Sequence, residues 1–234
     1  MRVLLTRPKA ESEVLASILR ERGIDALIAP VMEILRYDLE LPSTVAYQAV
    51  LLTSGNAVDA LVDSTLETDL PIFCVGDATA RKLVLTSFSD VRSASGASDD
   101  LVALVQRDLS KDKGSILYLS GMMVAADIGA SLTDAGFEIH RRVVYRAQAI
   151  ERSDEAIVSA LASGSVDGVF LYSPRSARIF VDHLKQANLE PMAKEMTAFC
   201  ISHAAADVAR AVTWRKVAVA SRPNQVDLLA LLPN

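Results

Sequence analysis

Four stretches of this chain bring hydroxyl, amide and guanidinium groups to the end of an apolar run. Val50-Leu-Leu-Thr-Ser-Gly-Asn-Ala-Val58 and Phe73-Cys-Val-Gly-Asp-Ala-Thr-Ala80 are echoed by Val169-Phe-Leu-Tyr-Ser-Pro-Arg-Ser-Ala177 and Phe199-Cys-Ile-Ser-His-Ala-Ala-Ala206. Each reads as a strand, a tight polar turn and a helix start. The first N–H groups of a helix have no partner inside it, and the aligned peptide dipoles add partial positive charge, so such turns suit carboxylates or phosphates. The candidate binding residues are Ser54, Asn56, Gly76 and Thr79 in the first pair, and Ser173, Arg175, Ser176, Ser202 and His203 in the second. Thr6 and Arg7, after the opening strand, join them.

Each of these residues also has a purely structural reading. Ser54 and Thr79 stand where hydroxyls commonly cap helices, and capping can coexist with binding. Asn56 could cap as well, and Asp77 is read as a cap because it would repel an anionic ligand. Gly76 either admits a carboxylate to the backbone or relieves the turn. Arg175 and Arg7 could pair with carboxylates or lie solvated on the surface. His203 faces a turn, unlike His140 and His183, but also reads as an ordinary helix-start residue. Arg141, Arg142, Arg146 and Arg152 cluster on one extended piece, where alternation sends neighbours to opposite sides.

The elements that must position these turns alternate regularly. Strands are expected near Val3–Thr6, Ala26–Ala29, Ala49–Thr53, Ile72–Val75, Val91–Ala94, Ser115–Ser120, Gly168–Tyr172, Ala198–Ile201 and Val217–Ala220. Helices follow them, including one through Arg22 ended by Gly23, one over Asp100–Leu109 capped by Ser98 or Asp99, one after the break at Gly121 running to Ala135, one over Asp154–Ala162, and one over Gln225–Leu232. Val31–Tyr37 and Phe137–Tyr145 read as extended connectors.

Val3–Met32 can be laid on Ile116–Tyr145 without a gap, pairing Gly23 with Gly136. With the strand-turn echoes, the chain reads A, B, A′, B′. Strand–helix alternation implies parallel sheets with right-handed crossovers. The expected architecture is α/β: residues 1–36 with 148–234 form one body, 40–142 form a second inserted one, each has a five-stranded parallel sheet flanked by helices, and a two-stranded linker joins them. A single continuous sheet is the alternative, which the repeat argues against. The carboxyl edges of the two sheets are expected to face a common ligand.

Bulk composition limits the function. The 234 residues are 51% hydrophobic and 23% charged, within the range of globular proteins. A net charge of -5 argues against a nucleic-acid partner. No run is long enough for a membrane span, and Met1-Arg2-Val3-Leu4-Leu5 enters a strand directly, so a cytoplasmic location is expected. Cys74 and Cys200 sit inside apolar strands and read as core, and with three scattered histidines they leave no metal ligand set.

In order along nearly the whole chain, the sequence resembles the uroporphyrinogen-III synthase family. The matching residues are Leu5-Thr6-Arg7-Pro8, Thr53-Ser54-x-Asn56-Ala57-Val58, Val75-Gly76-x-Ala78-Thr79-Ala80, Val144-Tyr145, Tyr172-Ser173-Pro174 and Ile201-Ser202 before an Ala-rich helix. The chain departs from the family at Ser120-Gly121, where Arg-Gly is common, and at Ser202-His203-Ala204-Ala205.

The resemblance implies two flavodoxin-like domains and a lyase without cofactor or metal. It further implies that the enzyme cyclises hydroxymethylbilane with loss of water and inversion of ring D, with no nucleic-acid or membrane partner. Tyr145 matches a family tyrosine that assists departure of the hydroxyl. A monomer, with transient handover of substrate from hydroxymethylbilane synthase, completes the implied picture. The rival reading is a non-catalytic binding protein for a small polyanion, because fold does not dictate function. A Rossmann nucleotide enzyme is set aside, since neither glycine-rich phosphate motif stands at a strand end.

Overall fold

The computed structural model describes residues 1–94, 96–124 and 126–233. The elements run β1 (Arg2–Leu5), α1 (Lys9–Glu21), β2 (Asp25–Ile28), β3 (Met32–Arg36), β4 (Tyr47–Leu52), a 3-10 turn (Gly55–Ala57), α2 (Val58–Val62), β5 (Ile72–Cys74), α3 (Asp77–Leu83) and β6 (Val91–Ser93). They continue with α4 (Ser98–Asp108), β7 (Ser115–Gly121), α5 (Ile128–Asp134), β8 (Ile139–Ala149), α6 (Glu155–Ala162) and β9 (Gly168–Leu171). The chain closes with α7 (Pro174–Gln186), a 3-10 turn (Glu190–Glu195), β10 (Thr197–Cys200), α8 (His203–Ala209), β11 (Lys216–Val219) and α9 (Gln225–Leu229). Two compact units result, Met1–Glu33 with Gln148–Asn234, and Ile34–Ala147.

The first unit holds a five-stranded sheet in the order β11-β10-β9-β1-β2. All its pairs are parallel, with Leu5 opposite Phe170 and Phe170 opposite Phe199. Because helices cover both faces, its strands are nearly continuous apolar runs rather than alternating ones. Leu4, Val169, Leu171, Ala198 and Cys200 pack on one face with Phe180 and Trp214. Val3, Leu5, Phe170 and Phe199 turn to the other, toward Leu15 and Leu19 of α1 and Leu228 of α9.

The second sheet runs β3-β8-β7-β4-β5-β6. Its pairings β7–β8, β7–β4, β4–β5 and β5–β6 are parallel. Val50, Leu52, Leu117 and Leu119 lie on one face with Leu61, Leu83 and Val144. Ala49, Leu51, Phe73, Ile116 and Tyr118 occupy the other, against Leu101, Val105, Ile128 and Leu132.

The internal repeat reaches the level of single hydrogen bonds. After α1, Gly23 at φ +72° donates its N–H to Arg20 O and Ile24 to Leu19 O. After α5, Gly136 at φ +92° donates to Thr133 O and Phe137 to Leu132 O. Both are Schellman ends, which need a left-handed residue and so favour glycine. Strand order repeats too, since β11-β10-β9-β1-β2 and β6-β5-β4-β7-β8 place echoing strands at matching positions.

Several expectations need correction. The second sheet has six strands where five were expected, because the two-stranded linker pair of β3 with β8 is continuous with it; Tyr37 N–H donates to Val144 O. The returning piece extends to Ala149, so Tyr145 lies within β8 and not at its end. The helix expected after the break at Gly121 starts only at Ile128, where Asp127 Oδ1 accepts from Ala130 N–H; Ala125, between them, lies outside the described residues. Neither Ser98 nor Asp99 caps α4. Its cap position is Ala97, whose N–H donates to Asp100 Oδ2. The last helix stops at Leu229 rather than Leu232.

The thiols behave as core groups. Burial pushes the Cys74 thiol up to about 11 and the Cys200 thiol up to about 12. Both are free and buried. Among the described residues no group of three or more His, Cys, Asp or Glu could hold a metal ion, and no helix is long and apolar enough to cross a membrane.

Candidate active site

In open parallel sheets, ligands gather at the carboxyl edge where neighbouring strands send their chains to opposite sides. That point lies between β1 and β9 in the first unit and between β7 and β4 in the second. The candidate residues fall at these two edges.

In the first unit, Thr6 is fully buried and its Oγ1 donates to Phe170 O at 2.6 Å, tying the end of β1 to β9. Arg7 donates from Nε to Glu11 Oε2 at 2.9 Å, one helical turn on. Its guanidinium also sits 4.8 Å from the centroid of the Tyr172 ring, in cation–π range. Among the described residues Tyr172 OH is buried with no hydrogen-bond partner of good geometry, and burial pushes its pKa up to about 12 although Arg7, through its charge and a marginal hydrogen-bonding contact, pulls the other way. An orphan hydroxyl at a sheet edge calls for an explanation.

Next along the edge, Ser173 and Ser176 form a reciprocal capping box at the start of α7. Ser173 Oγ accepts from Ser176 N–H at 3.0 Å and Ser176 Oγ accepts from Ser173 N–H at 3.0 Å. Ser176 is consequently buried, whereas Arg175 stands exposed on the same turn. Beyond β10, Ser202 Oγ accepts from Ala205 N–H at 3.3 Å, and His203 is exposed on the first turn of α8. Thr6, Arg7, Ser173 and Ser202 therefore follow three adjacent strands.

In the second unit, Ser54 Oγ accepts from Asn56 N–H at 3.2 Å and caps the 3-10 turn. Asn56 is thus capped rather than capping. Gly76 occupies the cap position of α3 in extended backbone, φ -144° and ψ 159°, with nothing within 4 Å of where a Cβ would stand. Neither its conformation nor its packing demands glycine, so the turn keeps open room above the backbone. Asp77 does not cap α3; its Oδ1 accepts from Ser93 Oγ–H at 2.7 Å and pins the helix to the end of β6. Thr79 is not the cap either. It lies in the first turn, 7% exposed, with its N–H donating to Gly76 O.

Tyr145 is placed by a β-bulge. Along β7 and β8, Tyr118 faces Arg141 and Ser120 faces Val143, but Gly121 faces Tyr145. Simple alternation would send Tyr145 to the face of Arg141 and Val143. The extra residue moves it to the other face, where it packs beside Val144. There its ring lies on Gly121: a Cβ on that glycine would stand 2.7 Å from Cζ, 2.8 Å from Cε2 and 2.9 Å from the hydroxyl. Met122 N–H donates to Tyr145 O at 2.9 Å.

Sequence reasoning passed over part of this edge. Thr53 Oγ1 and Tyr118 OH lie 3.5 Å apart beneath it, and burial raises the pKa of Tyr118. Ser120, fully buried, accepts from Arg141 Nε at 2.8 Å. These groups gave a weak signal because a strand-end residue becomes a site residue only through its cross-strand partner. Elsewhere, a hollow of about 780 Å³ beside Ser153 and His183 includes none of the edge residues; its imidazole is engaged by Ser153 Oγ at 3.0 Å and Ile150 O at 2.8 Å.

Two doubly wound units of matching strand order, each with hydroxyl-rich turns at its switch point, define a repeated α/β protein. The model of the family described as uroporphyrinogen-III synthase HemD matches residues 13–230, and the chain belongs to the uroporphyrinogen-III synthase family, whose members are lyases.

Among solved structures, the uroporphyrinogen-III synthetase of Helicobacter pylori is 19% identical with a TM-score of 0.65, covering 99% of this chain and 98% of that one. It shares the fold. A mutant uroporphyrinogen III synthase of Thermus thermophilus is 17% identical with a TM-score of 0.48, covering 95% of this chain and 94% of that one. No curated protein matches the chain.

Proposed function

We propose that this protein cyclises hydroxymethylbilane to uroporphyrinogen III, with loss of the terminal hydroxyl as water and inversion of ring D. Membership of the family along residues 13–230 carries the reading. The second-unit edge supports it, because a phenol laid on Gly121 at a switch point is a fixed hydrogen-bond donor.

In this mechanism Tyr145 donates its proton to the leaving hydroxyl, which departs as water, and the adjacent pyrrole N–H returns a proton to the phenolate, leaving a neutral, electrophilic azafulvene. Closure follows through a spiro intermediate. The substrate carries acetate and propionate groups on every ring, so it calls for many modest anion contacts rather than one strong one. Arg7, Arg175, Ser202 and His203 supply them on the first unit; Ser54, Asn56, Gly76 and Thr79 do so on the second. Thr6, Ser173 and Ser176, whose hydroxyls are bound within the first edge, hold its shape. The azafulvene also closes unaided to the wrong isomer, so the contribution of the protein is proximity and orientation.

The test is the product isomer formed from enzymatically supplied hydroxymethylbilane. Isomer III in large excess over isomer I is expected. Isomer I alone, at the rate seen without protein, overturns the proposal.

A further inference from the structure

The segment Ser120–Met122 at the end of β7 is gripped by Arg141. Its Nε donates to Ser120 Oγ at 2.8 Å, and its Nη2 donates to Gly121 O at 3.0 Å and Met122 O at 3.3 Å. On the opposite face of the sheet the same segment is the floor of the Tyr145 ring. One strand end is therefore shared by two side chains, four residues apart on β8.

We propose that Arg141 is a positioning residue for Tyr145. This rests on the role given to Tyr145 above. A bulge interrupts the ladder and leaves backbone groups that need partners from elsewhere. Here the bulge falls opposite Ser120 and Gly121, and the guanidinium meets the two carbonyls that follow. It also satisfies a serine hydroxyl that is fully buried.

Only a forked, planar donor reaches this set, because the acceptors are a side-chain oxygen and two successive carbonyls. An ammonium supplies charge from a single atom and cannot span them in one geometry. Without the guanidinium, Gly121 and Met122 lose their anchor. The Met122 N–H bond to Tyr145 O then loosens, and the phenol no longer has a fixed floor.

The experiment compares Arg141→Gln and Arg141→Lys, each with and without Tyr145→Phe, in the full chain. We expect Arg141→Gln to lower kcat about tenfold or more, as a small misplacement of a reacting group does, with KM within about twofold. The Met122 amide should exchange faster while Leu51 and Leu117 keep their protection. Arg141→Lys should resemble Arg141→Gln, and neither should cost anything further in the Tyr145→Phe background.

An unchanged kcat overturns the proposal. So does full rescue by lysine, which would mean a long-range charge effect, or a rise in KM alone, which would mean direct substrate binding. Losses that multiply with Tyr145→Phe also overturn it. If the unaltered protein yields only isomer I, the reading of function fails instead. The Met122 exchange measurement still decides whether Arg141 holds the strand end.

Discussion

Tyr145 and Gly121 occupy one site in the second sheet: the phenol ring covers the glycine so closely that no Cβ fits beneath it. The glycine is in β7, not in a turn, so close approach rather than backbone conformation explains it. Gly121→Ala should push the ring off its floor, since 2.7 Å is far inside carbon–carbon contact. The ring is the movable partner. We expect a stability loss of about 1–3 kcal/mol in urea unfolding and turnover reduced at least as much as by Tyr145→Phe. Full turnover in the alanine variant would show that ring placement does not matter.

Tyr145→Phe removes only the hydroxyl and leaves the ring on Gly121. Loss of a general acid costs typically about 10²–10⁴-fold in rate, and we expect kcat to fall toward that range. Stability should change by less than about 1 kcal/mol, because the residue is partly exposed and, among the described residues, its hydroxyl makes no internal hydrogen bond. Isomer III formed at the unaltered rate would remove Tyr145 from the mechanism.

Tyr172→Phe asks what the orphan hydroxyl of the first unit is for. A buried hydroxyl without a partner costs free energy, so its removal should leave the urea midpoint unchanged or raise stability by up to about 1 kcal/mol. A clear loss of stability would mean that the hydroxyl has a partner in solution, the Arg7 guanidinium or an ordered water.

Asp227 gives the chain a pH-dependent anchor at α9. Arg222 donates to it from Nε at 2.9 Å and from Nη2 at 3.1 Å, and Ser221 Oγ donates at 2.6 Å. These partners lower its pKa from 3.8 to about 2, Arg222 most of all. The folded state thus binds fewer protons than the unfolded one across that window, and stability rises with pH through it. The contribution is complete above the unfolded value and lost as pH falls through the folded one. Thermal midpoints of the unaltered protein and Asp227→Asn should differ at neutral pH and converge near pH 2. A gap of equal size at both would refute the assignment.

Much of the edge chemistry could be read from residue order, because strand–turn–helix units announce themselves locally. Ser54, Ser173 and Ser202 were legible as helix starts from the apolar runs before them and the small residues after them. All three are caps. Thr79 and Asp77 were misread as caps because Gly76, one residue earlier than Asp77, takes the cap position without a side-chain oxygen. Position relative to the first helical residue decides capping, and a shift of one residue changes the outcome.

Tyr145 shows a deeper limit. Its identity was visible from the motif, but its direction was not, since period-two alternation assigns it to the face of Arg141. The bulge that reverses it exists only in the register of β8 against β7. The partners of Tyr118, Ser120 and Arg141 were hidden for the same reason, because each acquires its partner from a neighbouring strand or from the end of one.

By itself the sequence determined the elements, their parallel arrangement and the A, B, A′, B′ repeat. Apolar run length, glycine stops and polar turns are local properties, and each copy repeats them. Tertiary structure alone decided that the linker pair would be continuous with the second sheet and bring it to six strands, that a bulge would turn Tyr145, and that Arg141 would grip the end of β7. Those outcomes depend on which backbone groups remain unpaired once neighbouring strands are in register, and that becomes defined only when the sheet has formed.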